Sequence, residues 1–188
     1  MKKLVQMLMV LCLVVMSTQV VFANADKTTI MEGADITSIH RLAVAQPLYI
    51  ELKGGPTKAQ VTQLVYDASK VARGYVMSYD MVAQSLKQDA NIDLLALDKR
   101  QAAKAFKEGV GKYVDAYVVT TVANNHHNVL FFDVYKAGTD QLLYSYQVAA
   151  DAASVESYTE AAREFYKNFE SSAQDQLKKN EKAAQQKK

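Results

Sequence analysis

The segment Ala116–Ala149 reads AYVVTTVANNHHNVLFFDVYKAGTDQLLYSYQVA and carries the strongest indication of secondary structure. It holds three runs rich in β-branched and aromatic residues, Ala116–Val122, Asn128–Lys136 and Gln141–Ala149. Two polar segments, 124–127 and 137–140, separate these runs and have the composition of hairpin loops. The sequence therefore predicts an antiparallel meander of two consecutive hairpins.

The last of these runs alternates between two kinds of side chain. Leu143, Ser145 and Gln147 lie between Leu142, Tyr144, Tyr146 and Val148. Because side chains alternate across a strand, this pattern predicts that one face of the meander contacts water. If that face is uncovered, tyrosines on it would form a partner surface, and the candidate binding residues are Tyr135, Tyr144 and Tyr146. Core packing of these tyrosines is the alternative.

A strand–helix–strand unit precedes the meander. Arg41–Ala45 predicts a short buried strand, and Lys53–Thr57 (KGGPT) predicts a turn that starts a helix. Apolar residues recur at spacings of three and four from Val61 to Ala72, which predicts one buried helix face. Tyr75–Tyr79 predicts a second strand. Two strands joined by a crossover helix are expected to be parallel.

Three further helices complete the predicted order. Asp80 is the expected cap of a short helix that buries Met81, Val82 and Leu86. Asp98 is the expected cap of the next helix, with a predicted buried side of Ala102, Ala103, Phe106 and Val110. The segment from Ser154 to about Lys182 predicts a long C-terminal helix, and only its first half is expected to pack.

The predicted fold class is α/β, with a mixed sheet of about five strands, two parallel strands plus an antiparallel meander, packed with helices. Residues 26–38 are mostly polar and are interpreted as a flexible lead-in. Residues 39–170 are expected to form a single α/β domain. Residues 171–188 are expected to form a polar, basic helical tail.

The first 25 residues have the pattern of a secretory signal peptide. Two lysines precede an apolar run from Leu4 to Met16, and Ala23-x-Ala25 matches the small-residue rule for cleavage after Ala25. Cleavage after Ala23 and retention as a membrane anchor are the alternatives. Leu11 before Cys12 is bulky where a lipoprotein signal has a small residue. The sequence therefore predicts export to the periplasm or cell envelope.

Charge is balanced beyond this segment. The chain after Ala25 holds all 20 acidic residues and 20 of the 22 basic ones. Lys178–Lys188 contains five lysines and one glutamate, which leaves the rest of the chain mildly acidic. A folded domain that binds nucleic acid normally carries a basic patch, so we expect no nucleic-acid partner. The basic end can contact anionic envelope polymers weakly or can be a solvated helix end.

The signal-like segment, the strand Arg41–Ala45 and the run Asp115–Val119 with its following hairpin resemble a diffuse group of bacterial envelope proteins. This group includes the N-terminal domain of TolB, the curli secretion protein CsgG and the penicillin-binding-protein activator LpoB. The resemblance covers about residues 39–169. It implies an exported domain that binds other proteins in envelope assembly, and it supplies no catalytic residues.

The residues alone reveal little chemistry. His126 and His127 are weak candidates for a metal site, since no neighbouring Cys or acidic pair completes a ligand set. No Gly-x-Ser-x-Gly elbow occurs, and the turn at Gly54 lacks the spacing of a phosphate loop. We therefore expect neither catalysis nor a cofactor. The favoured hypothesis is a non-catalytic envelope protein that mediates protein–protein interaction or assembly. The alternative is a periplasmic small-molecule or metal-binding protein that uses the loops around Gly54 and His126.

Overall fold

The computed structural model describes residues 26–124 and 128–186. The signal-like segment 1–25 and the two candidate metal ligands, His126 and His127, lie outside the described residues. Predictions about them stay predictions.

The described chain contains six strands and four α-helices. The strands are β1 (Lys27–Ile30), β2 (Arg41–Val44), β3 (Tyr75–Met77), β4 (Ala116–Asn124), β5 (Asn128–Lys136) and β6 (Leu142–Ala150). The α-helices are α1 (Lys58–Ala68), α2 (Tyr79–Ala90), α3 (Lys99–Val110) and α4 (Val155–Gln185). A short 3₁₀ turn, Ser69–Val71, extends α1.

The strands form one mixed sheet in the order β1-β6-β5-β4-β2-β3. Strand β2 lies between β3 and β4 and is parallel to both, whereas β4, β5 and β6 form the antiparallel meander. The predicted fold class, a mixed sheet packed with helices and a long C-terminal helix, is confirmed.

The segment 26–38 differs from the flexible lead-in that its polarity indicated. Lys27–Ile30 forms β1, which pairs antiparallel with β6 and raises the number of strands to six. Farther along, Ile36 is fully buried in the core. A polar strand is stable at this edge because its backbone hydrogen bonds with β6, rather than burial of its own side chains, hold it there.

One face of the sheet, which we call the covered face, packs against α1 and α4. Phe132 of β5 stacks on Phe165 of α4 with ring centroids 4.8 Å apart, and Tyr144 of β6 meets Phe169 edge to face at 5.1 Å. Aromatic pairs in these geometries add to the stabilisation from buried apolar area. This face therefore contains the main core of the molecule.

The opposite face is covered only in part. Helices α2 and α3 pack on β2, β3 and the first half of β4, where Tyr79 stacks on Phe106 and Phe106 meets Tyr117 edge to face. The rest of this face consists of β1, β6, β5 and the second half of β4. Its side chains are half-buried or exposed where the structure describes them.

Side-chain caps fix the starts of the helices. Thr57 and Gln60 form a capping box at α1, and Asp98 accepts hydrogen bonds from the backbone N–H groups of Arg100 and Gln101, as predicted. The predicted cap Asp80 is wrong: Ser78 caps α2, because the helix begins two residues earlier. The prediction for Ala103 is also wrong, since this residue is exposed on α3.

Helix α4 packs farther than its first half, contrary to prediction. The Gln176 amide donates to the Ala34 carbonyl at 2.6 Å and accepts from the Ile36 N–H at 2.9 Å. Gln176 is half-buried, and beyond it the helix continues to Gln185 with exposed side chains. Within residues 26–124 and 128–186, no helix has the length and hydropathy needed to cross a bilayer.

Candidate functional site

The uncovered part of the sheet is the candidate functional site, and we call it the open face. It consists of the outward side chains of four strands: Lys27, Thr29, Thr121, Val129, Phe131, Asp133, Ser145, Gln147 and Ala149. In β4, β5 and β6 the alternate positions are buried on the covered face, and β1 continues the same rows by pairing with β6. The strand period of two therefore places them together on the other side.

Phe131 lies at the centre of the open face. Its neighbours across the strands are Thr121 on β4 and Gln147 on β6, and Lys27 of β1 continues the same row. In the adjacent row the Ser145 hydroxyl donates a 2.6 Å hydrogen bond to Asp133 Oδ1. The surface thus combines one aromatic ring with polar groups and carries both signs of charge.

An exposed apolar segment borders this face. Leu48 is 58% exposed and Ile50 84% exposed, in the loop that follows β2. The backbone of Leu48 forms a parallel bridge with Thr121, accepting from Val122 N–H and donating to the Thr120 carbonyl. Because bridged partners share a face of the sheet, this bridge places Leu48 beside the row that contains Phe131.

Two of the three tyrosines predicted to bind a partner are core residues. Tyr144 is fully buried and Tyr146 is 1% exposed, both beneath α4. Tyr144 donates to Asn168 Oδ1 at 3.2 Å, and Tyr146 donates to Asp26 Oδ2 at 2.7 Å. Burial raises the pKa of Tyr144 to about 12. As candidates for surface binding they are wrong, because α4 covers the face on which they lie.

Tyr135 lies on the opposite side of the sheet from these two tyrosines. Its ring stacks on Tyr117 with centroids 5.5 Å apart, at the border between the open face and the part under α2 and α3. Burial raises the pKa of both hydroxyls, that of Tyr117 to about 12. Tyr135 is half-buried, so its role in binding stays a prediction.

Strand β6 changes phase at a β-bulge, which places Leu142 and Leu143 on the faces opposite to those that strict alternation indicated. Val134 pairs with Tyr144, but Tyr135 pairs with Leu142, so Leu143 is an extra residue without a partner across the strand. Leu143 consequently joins the core, whereas Leu142 is half-buried. The sequence showed two alternating sets in β6 but not which set the helix would cover.

Sequence reasoning missed the open-face residue Phe131 and the exposed pair Leu48 and Ile50. Phe131 adjoins Phe132, so one of these two phenylalanines had to face away from the core. That signal was present in the strand pattern. Leu48 and Ile50 gave no comparable signal, because an apolar residue beside a strand is equally typical of its buried end.

The loop around Gly54 has the geometry of an ordinary turn. Gly54 adopts φ +82°, and the Gly55 N–H donates to the Leu52 carbonyl at 3.0 Å. The first N–H of α1, that of Lys58, donates to the Glu51 carboxylate at 2.8 Å. Since Glu51 already supplies an anion at this helix start, the loop offers a poor site for an anionic ligand.

Within the described part of the chain, no group of three or more His, Cys, Asp or Glu side chains is placed to hold a metal ion. His40 is exposed, and its backbone N–H donates to Asp115 Oδ2 at 3.0 Å. Asp115 also accepts from the N–H and the guanidinium of Arg41. This carboxylate therefore joins the starts of β2 and β4.

No protein-family model matches the sequence, and no curated protein matches it significantly. Among solved structures, the chain is similar to the LpoB C-terminal domain from Escherichia coli, with 18% identity over 65% of this chain and 90% of that one and a TM-score of 0.47. The same domain from Salmonella enterica gives 14% identity, coverages of 63% and 84%, and a TM-score of 0.43.

A third similar structure is the PelC dodecamer from Paraburkholderia phytofirmans. It shares 6% identity over 75% of this chain and 93% of that one, with a TM-score of 0.43. LpoB is one of the proteins that the sequence resembles, and the resemblance to TolB and CsgG stays a prediction. At these identities and TM-scores, the similarities assign neither an activity nor a partner to the chain.

Proposed function

We propose that the chain is an exported, non-catalytic protein of the cell envelope that binds another protein through its open face. The observation that carries this proposal is the uneven cover of the sheet. Helices α1 and α4 bury one side of the sheet. On the other side, the outward residues of β5 and β6 that the structure describes are only half-buried.

The shape of this surface supports a protein partner rather than a small molecule. Small ligands bind in concave sites that enclose most of their surface, and a sheet face is nearly flat. A flat surface with an aromatic centre and an apolar border is typical of protein interfaces. Phe131 supplies the centre, and Leu48 and Ile50 supply the border.

The envelope location rests on the N-terminal sequence. A positive start, an apolar run and Ala23-x-Ala25 support export. The lack of a catalytic motif in the sequence supports a binding role. We further propose that the exposed end of α4, with Lys178, Lys179 and Lys182, makes a weak contact with anionic envelope polymers.

Affinity purification from solubilised envelope tests the proposal. The bait is the chain from Asp26 to Lys188, which contains every described strand and helix, and the test variant is Phe131→Asp. The matched control is Val155→Asp, which places the same charge on an apolar residue, 45% exposed, in the first turn of α4. The tail is tested separately by changing the three lysines to glutamine.

We expect one protein to be recovered by the wild type and by Val155→Asp, but at least about tenfold less by Phe131→Asp, since a buried aspartate without a counter-charge is costly. Circular dichroism of all baits checks that each is folded. Equal recovery by folded Phe131→Asp would contradict binding through the open face. Loss only with the lysine variant would place the contact on the tail.

A further inference from the structure

Exposed apolar side chains are concentrated at one end of the molecule. Ten large apolar side chains are exposed in the described part of the chain, and five of them lie in two loops. The loop that follows β2 contains Leu48, Ile50 and Leu52, and the loop between α2 and α3 contains Leu95 and Leu97. Ile50 is 84% exposed and Leu95 is 73% exposed. We call these five residues the apolar end.

The two loops lie next to each other. The Lys58 N–H at the start of α1 donates to the Glu51 carboxylate of the first loop at 2.8 Å. Leu95 of the second loop lines a depression together with Gln46, which follows β2, and Ser78, which follows β3. Strands β2 and β3 are parallel, so they end on the same side of the fold. Both loops therefore lie beyond the carboxyl ends of these strands.

Positive charge accompanies the apolar end. The basic residues in and beside the two loops are Lys53, Lys58, Lys99 and Arg100. Contact with the Lys99 amine, together with desolvation, lowers the pKa of Lys58, and the charge of Glu51 only partly offsets this effect. The other nearby acid, Asp98, caps α3 through backbone N–H groups. None of the four basic side chains forms an ion pair with a described residue, so their charge lacks a matching anion.

The composition of the apolar end favours lipid over protein as its partner. Its five apolar residues are leucine or isoleucine, and Tyr49, the aromatic residue within the first loop, is buried. Protein interfaces are rich in aromatic residues and poor in lysine, and leucine is under-represented among their hot spots. Aliphatic side chains beside lysines instead match the boundary between acyl chains and anionic head groups in a bilayer.

The chain also enters the fold at this end. Lys27 at the start of β1 pairs with Gln147, close to the end of β6. Asn128 at the start of β5 pairs with Asn124 at the end of β4 and with Ala150 at the end of β6, and β4 is parallel to β2. The predicted signal segment therefore joins the fold where β2 ends. If that segment is retained as an anchor, it would hold the apolar end toward the bilayer.

We propose that the apolar end docks on the surface of an anionic phospholipid bilayer. The aliphatic side chains enter the boundary between head groups and acyl chains, and Lys53, Lys99 and Arg100 contact the lipid phosphates. A bilayer supplies both an apolar medium for the exposed side chains and the anions that the basic residues lack. The apolar end lies at one end of the sheet, and only Leu48 and Ile50 also border the open face. This inference therefore goes beyond the proposed protein partner.

Sedimentation with lipid vesicles tests the docking. The chain from Asp26 to Lys188 is mixed with vesicles of phosphatidylcholine alone or of phosphatidylcholine with phosphatidylglycerol. We expect binding to the mixed vesicles that weakens as salt is added. Leu52→Ser combined with Leu95→Ser should lower the partition coefficient at least about tenfold, because two apolar side chains no longer enter the bilayer. The matched control is Val71→Ser combined with Leu177→Ser, two exposed apolar residues near the starts of β2 and β3, which should bind as the wild type does.

A charge variant separates the electrostatic contribution from insertion. Changing Lys53, Lys99 and Arg100 to glutamine should lower binding to the mixed vesicles at least about tenfold, because each basic residue is attracted to the anionic surface. Binding to phosphatidylcholine alone should not change. The variant in which the three lysines at the end of α4 are glutamine should retain most of its binding to the mixed vesicles.

A fluorescent reporter distinguishes insertion from adsorption. The chain contains no tryptophan, so Leu95→Trp introduces a single one at an exposed position. Its emission should shift to shorter wavelengths on the mixed vesicles and should be quenched by lipids that are brominated on their acyl chains. Val71→Trp, at the opposite end of α1, is the control and should show neither change.

Several results would overturn the proposal. These are a lack of binding to the mixed vesicles, unchanged binding of the Leu52→Ser and Leu95→Ser double variant, and Leu95→Trp emission that does not shift. Circular dichroism checks that each variant is folded. Loss of binding in the tail variant alone would assign the membrane contact to α4 instead. If the chain binds no vesicles and the double variant recovers less protein from solubilised envelope, the apolar end is a protein contact.

The open face is tested separately. Phe131→Asp should bind the mixed vesicles as the wild type does, because Phe131 is not part of the apolar end. Since none of the vesicle variants alters Phe131, failure of the docking proposal would leave the proposed protein partner of the open face unaffected.

Discussion

The covered face and the open face are the two sides of the same strands, but α4 packs only on the covered face. Phe132 is fully buried under α4, whereas its neighbour Phe131 is half-buried on the other side. Tyr144 and Tyr146 belong to the first face, and Ser145 and Gln147 belong to the second. Residue type alone therefore does not tell core from binding surface here. The path of the helices decides between them.

The positions of the helices along the chain explain why they cover the two faces of the sheet unequally. Helix α4 begins five residues after β6 ends and returns across β6 and β5 on one side. Helices α2 and α3 lie between β3 and β4, and they pack on the parallel half of the sheet. No described helix follows that could cover the other side of the meander. An uncovered sheet face with an aromatic centre is the result.

The largest change in stability is expected from truncating an aromatic ring of α4 that packs against the covered face. Phe165→Ala should lower the free energy of unfolding by about 3–5 kcal/mol, because it removes the ring that stacks on Phe132 and leaves a cavity. Urea denaturation measures this change. A loss below about 1 kcal/mol would mean that α4 is not essential to the core.

Alkaline unfolding should distinguish the buried tyrosines from exposed ones. Burial raises the pKa of Tyr144 and Tyr117 to about 12, whereas an unfolded tyrosine ionises near pH 10. Stability from these groups is complete below about pH 10 and is lost as the pH rises toward 12, since only the unfolded chain releases protons in that window. Urea midpoints measured from pH 8 to pH 12 test this, with Tyr144→Phe expected to lose less stability over the window.

Removing each of two buried tyrosine hydroxyls, one on α4 and one on the covered face, should change the free energy of unfolding in opposite directions. Tyr166→Phe removes a hydroxyl that has no partner among the described residues and should raise the free energy of unfolding by about 1 kcal/mol. Tyr146→Phe removes the 2.7 Å hydrogen bond to Asp26 and should lower it by about 1 kcal/mol. Equal changes in the two variants would show that the Tyr166 hydroxyl is already satisfied.

The smallest change in stability is expected on the open face. Phe131→Thr replaces a half-buried ring by a β-branched residue that suits a strand, and the free energy of unfolding should change by less than about 1 kcal/mol. The same urea assay measures it beside Phe165→Ala. A loss as large as that of Phe165→Ala would indicate that the open face is part of the core and is unavailable to a partner.

Local patterns in the sequence predicted most of the fold. The meander, the apolar stripe of α1 and the cap at Asp98 each depend on residues close together in the chain. Strand β1 could not be predicted in this way, because KTTI has few apolar residues. It becomes a strand by pairing with β6, more than 110 residues later, as in the pair Lys27 and Gln147.

The sequence predicted that one side of the sheet would be open to solvent, but it did not predict which residues lie there. Alternation in β6 indicated that one side of the sheet would be wet, which the half-buried Ser145 and Gln147 bear out. Which set of residues faces solvent depends on the side that α4 covers. That side is a tertiary feature, so the tyrosines Tyr144 and Tyr146 were assigned to the surface although they belong to the core.

Site-specific photo-crosslinking in cells tests whether the open face binds another protein. A benzoylphenylalanine is placed at Phe131 on the open face and, as the control, at Val155 on α4, and products are identified by mass spectrometry. We expect position 131 to form a crosslink to one protein and position 155 to form none. A crosslink from position 155 alone, or none from position 131 in a folded and exported chain, would contradict this expectation.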